Sequence, residues 1–190
     1  MIPLTELAIP ILLAAVFVFI ASAILHMALP FWHRGDLDPV PDEDRAMDAL
    51  RPFGLRPGGN YAMPLAYGAA EMKNPAFIEK MKKGPVAFIT VRPSGEPRMG
   101  QQLALWFVYT VLVSIFAAYV ASRALGYGAD YLDVFRFAGT TAFAAYGVGL
   151  VHESIWWGRK WSATIKSMID GLIYSLLTAG TLGWLWPAGM

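Results

Sequence analysis

The chain contains no cysteine. That removes disulfides, thiolate metal sites and cysteine-attached haem. Charge is scarce too: Asp, Glu, Lys and Arg make up 15% of the residues, against about 25% in soluble domains. The formal net charge of +1 gives no reason to expect nucleic acid as a partner. The familiar catalytic signatures are missing: no GxGxxG, no G-x-x-x-x-G-K-[ST], no G-x-S-x-G and no H-E-x-x-H. The first ten residues, MIPLTELAIP, hold no Lys or Arg. A secretory leader starts with basic residues, so the apolar run that follows reads as a retained span.

What is present is apolar and comes in blocks. Hydrophobic residues make up 56% of the 190 positions, and the mean hydropathy is +0.46. Four blocks stand out, at about 7–31, 103–125, 131–157 and 161–186. Crossing a bilayer core of about 30 Å takes about 20 mostly apolar residues. In lipid, every backbone N–H and C=O must be paired within the segment, so each block is expected to be helical. The predicted fold class is an all-α membrane protein with four transmembrane helices and a small α+β cytoplasmic cap in the loop between helices 1 and 2. The organisation is then 1–31 as the first transmembrane helix, 32–101 as the cap, and 102–190 as helices 2 to 4.

Basic residues set the orientation. Ten of the fifteen Lys and Arg lie between the first and second blocks, and Arg159 and Lys160 lie in the turn between the third and fourth. Only Arg123 and Arg136 lie on the other side. The positive-inside rule places the loop and the short turn in the cytoplasm and both termini outside. The seven tryptophans, at 32, 106, 156, 157, 161, 184 and 186, fall near block ends, as interfacial belts require.

The 32–101 loop carries nine prolines but also local structure signals. PDEDRAMDALRPFG reads as a short helix with acids in its first turn and Gly54 past its end. NPAFIEKMKKG reads as a second, with Asn74 as N-cap, Pro75 first and Gly84 beyond the last turn. VAFITV (86–91) reads as a strand for which NYAMPL (60–65) is a partner.

Small residues recur every fourth position in the fourth block, at Gly171, Ser175, Ala179 and Gly183. In the third block the row is Thr141, Ala145 and Gly149, with Ala138 and Ala142 alongside. Such rows let helices approach closely in lipid. They serve either to seal the hairpin around Gly158 or to face another subunit.

The stretch GLVHESIWWGRKW (149–161) puts His152 and Glu153 side by side at the end of an apolar block. His152 continues the Ala145–Gly149 row and is expected to point at a neighbouring helix. Lys166 and Asp170, four apart, are placed to pair. His26 and His33 end the first block, so all three histidines of the chain fall at the cytoplasmic boundary. The candidate metal ligands are His26, His152 and Glu153, with His33 and Asp170 in reserve, for a divalent ion such as Zn, Fe or Mn. His26 with His152 on one haem is a second reading. Proton or quinone chemistry is a third. A plain set of ion pairs where helices meet is the fourth.

The segments FIASAILHMALPFWHRGD (19–36), PDED (41–44), NPAFIEKMKKGPVAFITVRPSG (74–95) and SIWWGRKWS (154–162) together resemble a group of uncharacterised small bacterial inner-membrane proteins. The resemblance implies a four-span protein with no assigned activity, and it carries over no site residue. From the sequence, the expected function is that of a structural or accessory membrane protein, not an enzyme. It would self-associate or serve as a subunit of a larger membrane assembly in the lipid bilayer. The alternative is a metal- or haem-binding protein with its site at the cytoplasmic boundary.

Overall fold

The computed structural model describes residues 1–189. Helix α1 (Ala8–Ala23) runs into a π-helical turn (Ile24–Ala28), and α2 (Pro30–His33) follows. The break has a local cause. Proline disfavours helical backbone in the residue before it, and Leu29 sits at φ −115°, ψ 61°. Its N–H reaches back five residues to the Ile24 carbonyl, at 3.0 Å. Next come α3 (Glu43–Leu50), β1 (Asn60–Met63), α4 (Ala69–Met72), α5 (Pro75–Lys83) and β2 (Ala87–Thr90). The long helices α6 (Met99–Ala124) and α7 (Tyr131–Tyr146) follow. A 3₁₀ turn (Val148–Leu150), α8 (Val151–Trp157) and α9 (Trp161–Trp184) complete the chain.

Among the described residues, three helical stretches are long and apolar enough to cross a membrane: Ala8–Ala28, Met99–Ala124 and Tyr131–Trp157. The fourth expected span, α9, is as long, with 24 residues, but it is not among them. The reason is its composition. Lys166, Asp170 and a run of Ser, Thr and Gly dilute its apolar character. Much of that polarity is turned inward, where Thr164, Asp170, Ser175, Thr178 and Thr181 are buried.

The chain forms two compact units, 1–38 with 98–190, and 39–97. The first is a helical bundle in which α7 packs along α9, and α1 lies against α6 and α9. Its core sets small side chains, among them Ala14, Ala15, Ala117, Ala118, Ala138, Ala142 and Ala179, beside larger ones such as Leu7, Val18, Val134 and Leu182, all fully buried. The small residues let the helix backbones approach closely. At Gly171 a Cβ would fall 2.8 Å from the Tyr146 carbonyl, so only glycine fits there.

Of the two small-residue rows, the one on α9 faces inward and the one on α7 does not. Val134, Ala138, Ala142 and Tyr146 face the core, while Ala145 and Gly149 are exposed. The aligned set that includes Val134 and Tyr146 buries more surface than one built on Thr141 and Gly149. Beyond it, Gly147 (φ −120°, ψ −59°) ends α7, and the 3₁₀ turn resets the helix phase. His152 and Glu153 therefore do not continue a packed face.

In the second unit, β1 and β2 pair antiparallel, Asn60 opposite Thr90 and Met63 opposite Ala87. The Thr90 hydroxyl donates to Asn60 Oδ1 across the pair at 2.8 Å. Asn74 caps α5 by accepting from the Ala76 N–H, and Pro75 opens the helix. Glu43 and Asp44 occupy the first turn of α3. A 3₁₀ turn (Arg51–Phe53) extends that helix to Gly54, at φ +60°.

Candidate functional site

Two breaks in regular helix meet one cavity. The π turn after α1 carries His26 and Met27, and the 3₁₀ turn after α7 carries Leu150. All three line a cavity of about 430 Å³. π turns of this kind recur at functional sites because they re-aim one side chain without ending the helix. Trp106 and Tyr109 of α6, Tyr146 of α7, and Ser167, Asp170 and Tyr174 of α9 complete much of the wall.

Three metal-type ligands converge, and two of them, His26 and Asp170, line the cavity. One donor atom from each of His26, His33 and Asp170 lies within 4.8 Å of the other two. Each arrives by a different local device. The π turn positions His26. The short proline-started helix α2 brings His33 back, so that the two imidazoles stack with centroids 4.3 Å apart and planes 17° apart. Helix α9 presents Asp170 from inside the bundle, only 2% exposed. A carboxylate buried to that degree is costly without partners. The Trp32 indole N–H donates to its Oδ1 at 2.8 Å, and His33 Nε2 lies 2.9 Å from its Oδ2.

The hydrogen bonds place a proton on Nδ1 of each ring. His26 Nδ1 lies 3.0 Å from the Ser22 carbonyl, which can only accept, so this nitrogen carries the proton. His33 Nδ1 likewise donates to Asp36 Oδ2 at 2.7 Å. With Nδ1 so committed, each ring turns its Nε2 to the cluster. His33 Nε2 is buried and has no hydrogen-bond partner. The Asp170 carboxylate lies at ion-pair distance from it, 2.9 Å, without the alignment of a hydrogen bond. Nδ1–H directed at a carbonyl or carboxylate, with Nε2 free, is how proteins orient histidine for metal.

Asp36 is held in turn. Burial alone would raise its pKa, but hydrogen bonds from His33 and Lys166, with their charges, outweigh that and hold the carboxyl below its ordinary value. Lys166 Nζ reaches Asp36 Oδ1 at 3.1 Å, so it pairs with Asp36 and not with Asp170, the partner its spacing suggested.

His152 and Glu153 stand apart from this cluster. Their side chains are 58% and 41% exposed and pair with each other at 3.2 Å. His152 Nδ1 also contacts the Gly149 carbonyl. The structure thus brings together His26 and both reserve residues, His33 and Asp170, and leaves His152 and Glu153 in a pair of their own. The two histidines considered for haem, His26 and His152, belong to separate clusters. Sequence reasoning missed Trp32 and Asp36 as the groups that orient the cluster, and Tyr174 as part of the cavity. The HxxxxxxH spacing of His26 and His33 around Pro30 was the available signal for the first two.

Comparison of the chain with protein-family models, with curated proteins and with solved structures returned no match.

Proposed function

We propose that this is an integral membrane protein that binds a divalent transition metal through His26 Nε2, His33 Nε2 and an Asp170 carboxylate oxygen. The convergence of these three donors carries the reading. Two neutral imidazoles and one carboxylate suit Zn, Fe(II) or Mn and leave further coordination positions free. The outer partners favour it as well: Ser22 and Asp36 hold the imidazoles by Nδ1, and Trp32 holds the carboxylate. The free positions would face the cavity that His26 and Asp170 line. In this reading α9 also crosses the bilayer, with Asp170 sheltered by α1 and α2, and the basic loop sets the metal at the cytoplasmic side of a bacterial inner membrane.

The alternative of a purely structural, self-associating protein drew on the small-residue rows. On α9 that row is spent within the chain, with Gly171 against Tyr146 and Gly183 against Tyr131. A lattice of ion pairs remains as its support: Lys166 with Asp36, and Lys160 with Asp38.

The test is elemental analysis of protein purified in mild detergent without chelator. We expect about one transition metal per chain, lost in both His33→Ala and His26→Ala and kept in His152→Ala. A folded wild-type protein that takes up no Zn, Fe or Mn on titration would overturn the metal reading.

A further inference from the structure

The cavity beside the metal-type cluster has an unfilled requirement of its own. Four rings line it: Trp106, Tyr109, Tyr146 and Tyr174. Three of them have their polar atoms committed. The Trp106 indole donates to Ser22 Oγ at 2.8 Å, Tyr109 to the Ala145 carbonyl at 3.0 Å, and Tyr146 to the Thr110 carbonyl at 3.4 Å. The Tyr174 hydroxyl alone among them is buried with no partner, on a residue only 4% exposed. A buried polar group left unpaired costs about 1–3 kcal/mol. Such a cost is tolerated where a ligand supplies the missing partner.

The walls say what shape that ligand has. The rings pack edge-on or tilted, with centroids 5.5–6.3 Å apart, so they form one aromatic surface. Phe19, Met27 and Leu103 continue the wall, on segments of two helices apolar enough to span. About 430 Å³ falls within the range of small-molecule sites, roughly 300–1,000 Å³. A saturated chain would fill such a space but leave Tyr174 unpaired. A flat ring bearing oxygen would both stack on the aromatic walls and accept from the hydroxyl.

We propose that the cavity binds the ring of a membrane-dissolved quinone, with one carbonyl oxygen accepting from Tyr174 Oη and the apolar tail leaving past Phe19 and Leu103. The site shares His26 and Asp170 with the metal reading, but it stands on Tyr174 and the rings, so the two can fail separately. Binding alone is inferred, with no electron transfer.

The probe is decylubiquinone, followed by quenching of tryptophan fluorescence in chelator-treated and metal-loaded protein, with 1-decanol as the chain-only control. Trp106→Phe identifies the cavity's share of the signal. We expect saturable quenching at one quinone per chain, weakened about ten-fold in Tyr174→Phe, the loss of one hydrogen bond. Leu103→Trp, which fills the mouth, should abolish it in protein that still elutes as folded. Binding that survives chelation upholds this proposal whatever the metal titration shows, and a metal-binding protein that takes up no quinone leaves the metal reading standing and overturns this one. Quenching no stronger than decanol competition explains, or unchanged in Tyr174→Phe, would overturn the quinone proposal.

Discussion

Two of the histidine–carboxylate pairs in this chain differ in almost every respect. His152 and Glu153 are neighbours in sequence, largely exposed, and paired at 3.2 Å. His33 and Asp170 come from opposite ends of the chain, lie 2.9 Å apart, and have side chains 19% and 4% exposed. The first pair draws the eye in the sequence; the second is held by Trp32, Asp36 and Ser22-bound His26. Adjacency in sequence places two side chains on different sides of a helix, so it predicts little about a shared site. What organises a site is the set of groups that orient its members.

That contrast can be broken in several ways. Asp170→Asn should have the largest effect. It removes the ligand charge and lowers metal affinity at least 100-fold, beyond the roughly 10–100-fold that outer partners carry. Isothermal titration with Zn would show it, and an unchanged affinity would put Asp170 outside the site. Asp36→Asn should cost about 10–100-fold in the same assay, because His33 loses its orienting acceptor.

Acidification gives a related check. The folded-state pKa of Asp36 is depressed, so its contribution to stability is present above the ordinary value of 3.8 and is lost as pH falls through the folded value. Wild-type protein should lose stability relative to Asp36→Asn only below about pH 4. A difference that instead faded between pH 5 and 7 would implicate another group.

Packing offers a matched pair. Gly171→Ala pushes a methyl onto the Tyr146 carbonyl and should destabilise by about 1–3 kcal/mol in a detergent unfolding assay. Gly149→Ala, on the exposed face with its nearest contact at 3.9 Å, should change stability by less than about 0.5 kcal/mol. Equal effects would mean that α7 is turned differently. The smallest expected effect is that of His152→Ala, within about 0.5 kcal/mol and with no change in bound metal, as for exposed pairs generally.

Much of this architecture was legible in the sequence. Long apolar blocks gave helices, and the Asn74–Pro75 start and the Gly54 and Gly84 ends gave the short ones. The strand pairing of 60–63 with 87–90 followed from alternation and turn residues. The histidines and Asp170 were recognised as one level of the bundle. Their grouping was not, because it depends on helix phase. Gly147 and the 3₁₀ turn rotate His152 out of the face its spacing implied, and the turn at Pro30 folds His33 back onto His26. Block length likewise counted α9 as a span like the others, whereas Lys166, Asp170 and its buried Ser and Thr make it less apolar than they are.

The π turn at Ile24–Ala28 has one more consequence, for how this gene tolerates insertions and deletions. An α-helix advances about 100° per residue, and a π turn accommodates one residue more than the α ladder needs. Deleting Ala28 alone would let the ladder close as ordinary helix and swing Trp32 and His33 by about that angle, away from Asp170. Alignments of any relatives should therefore be gapless from Ser22 to Asp36, even where neighbouring loops vary in length.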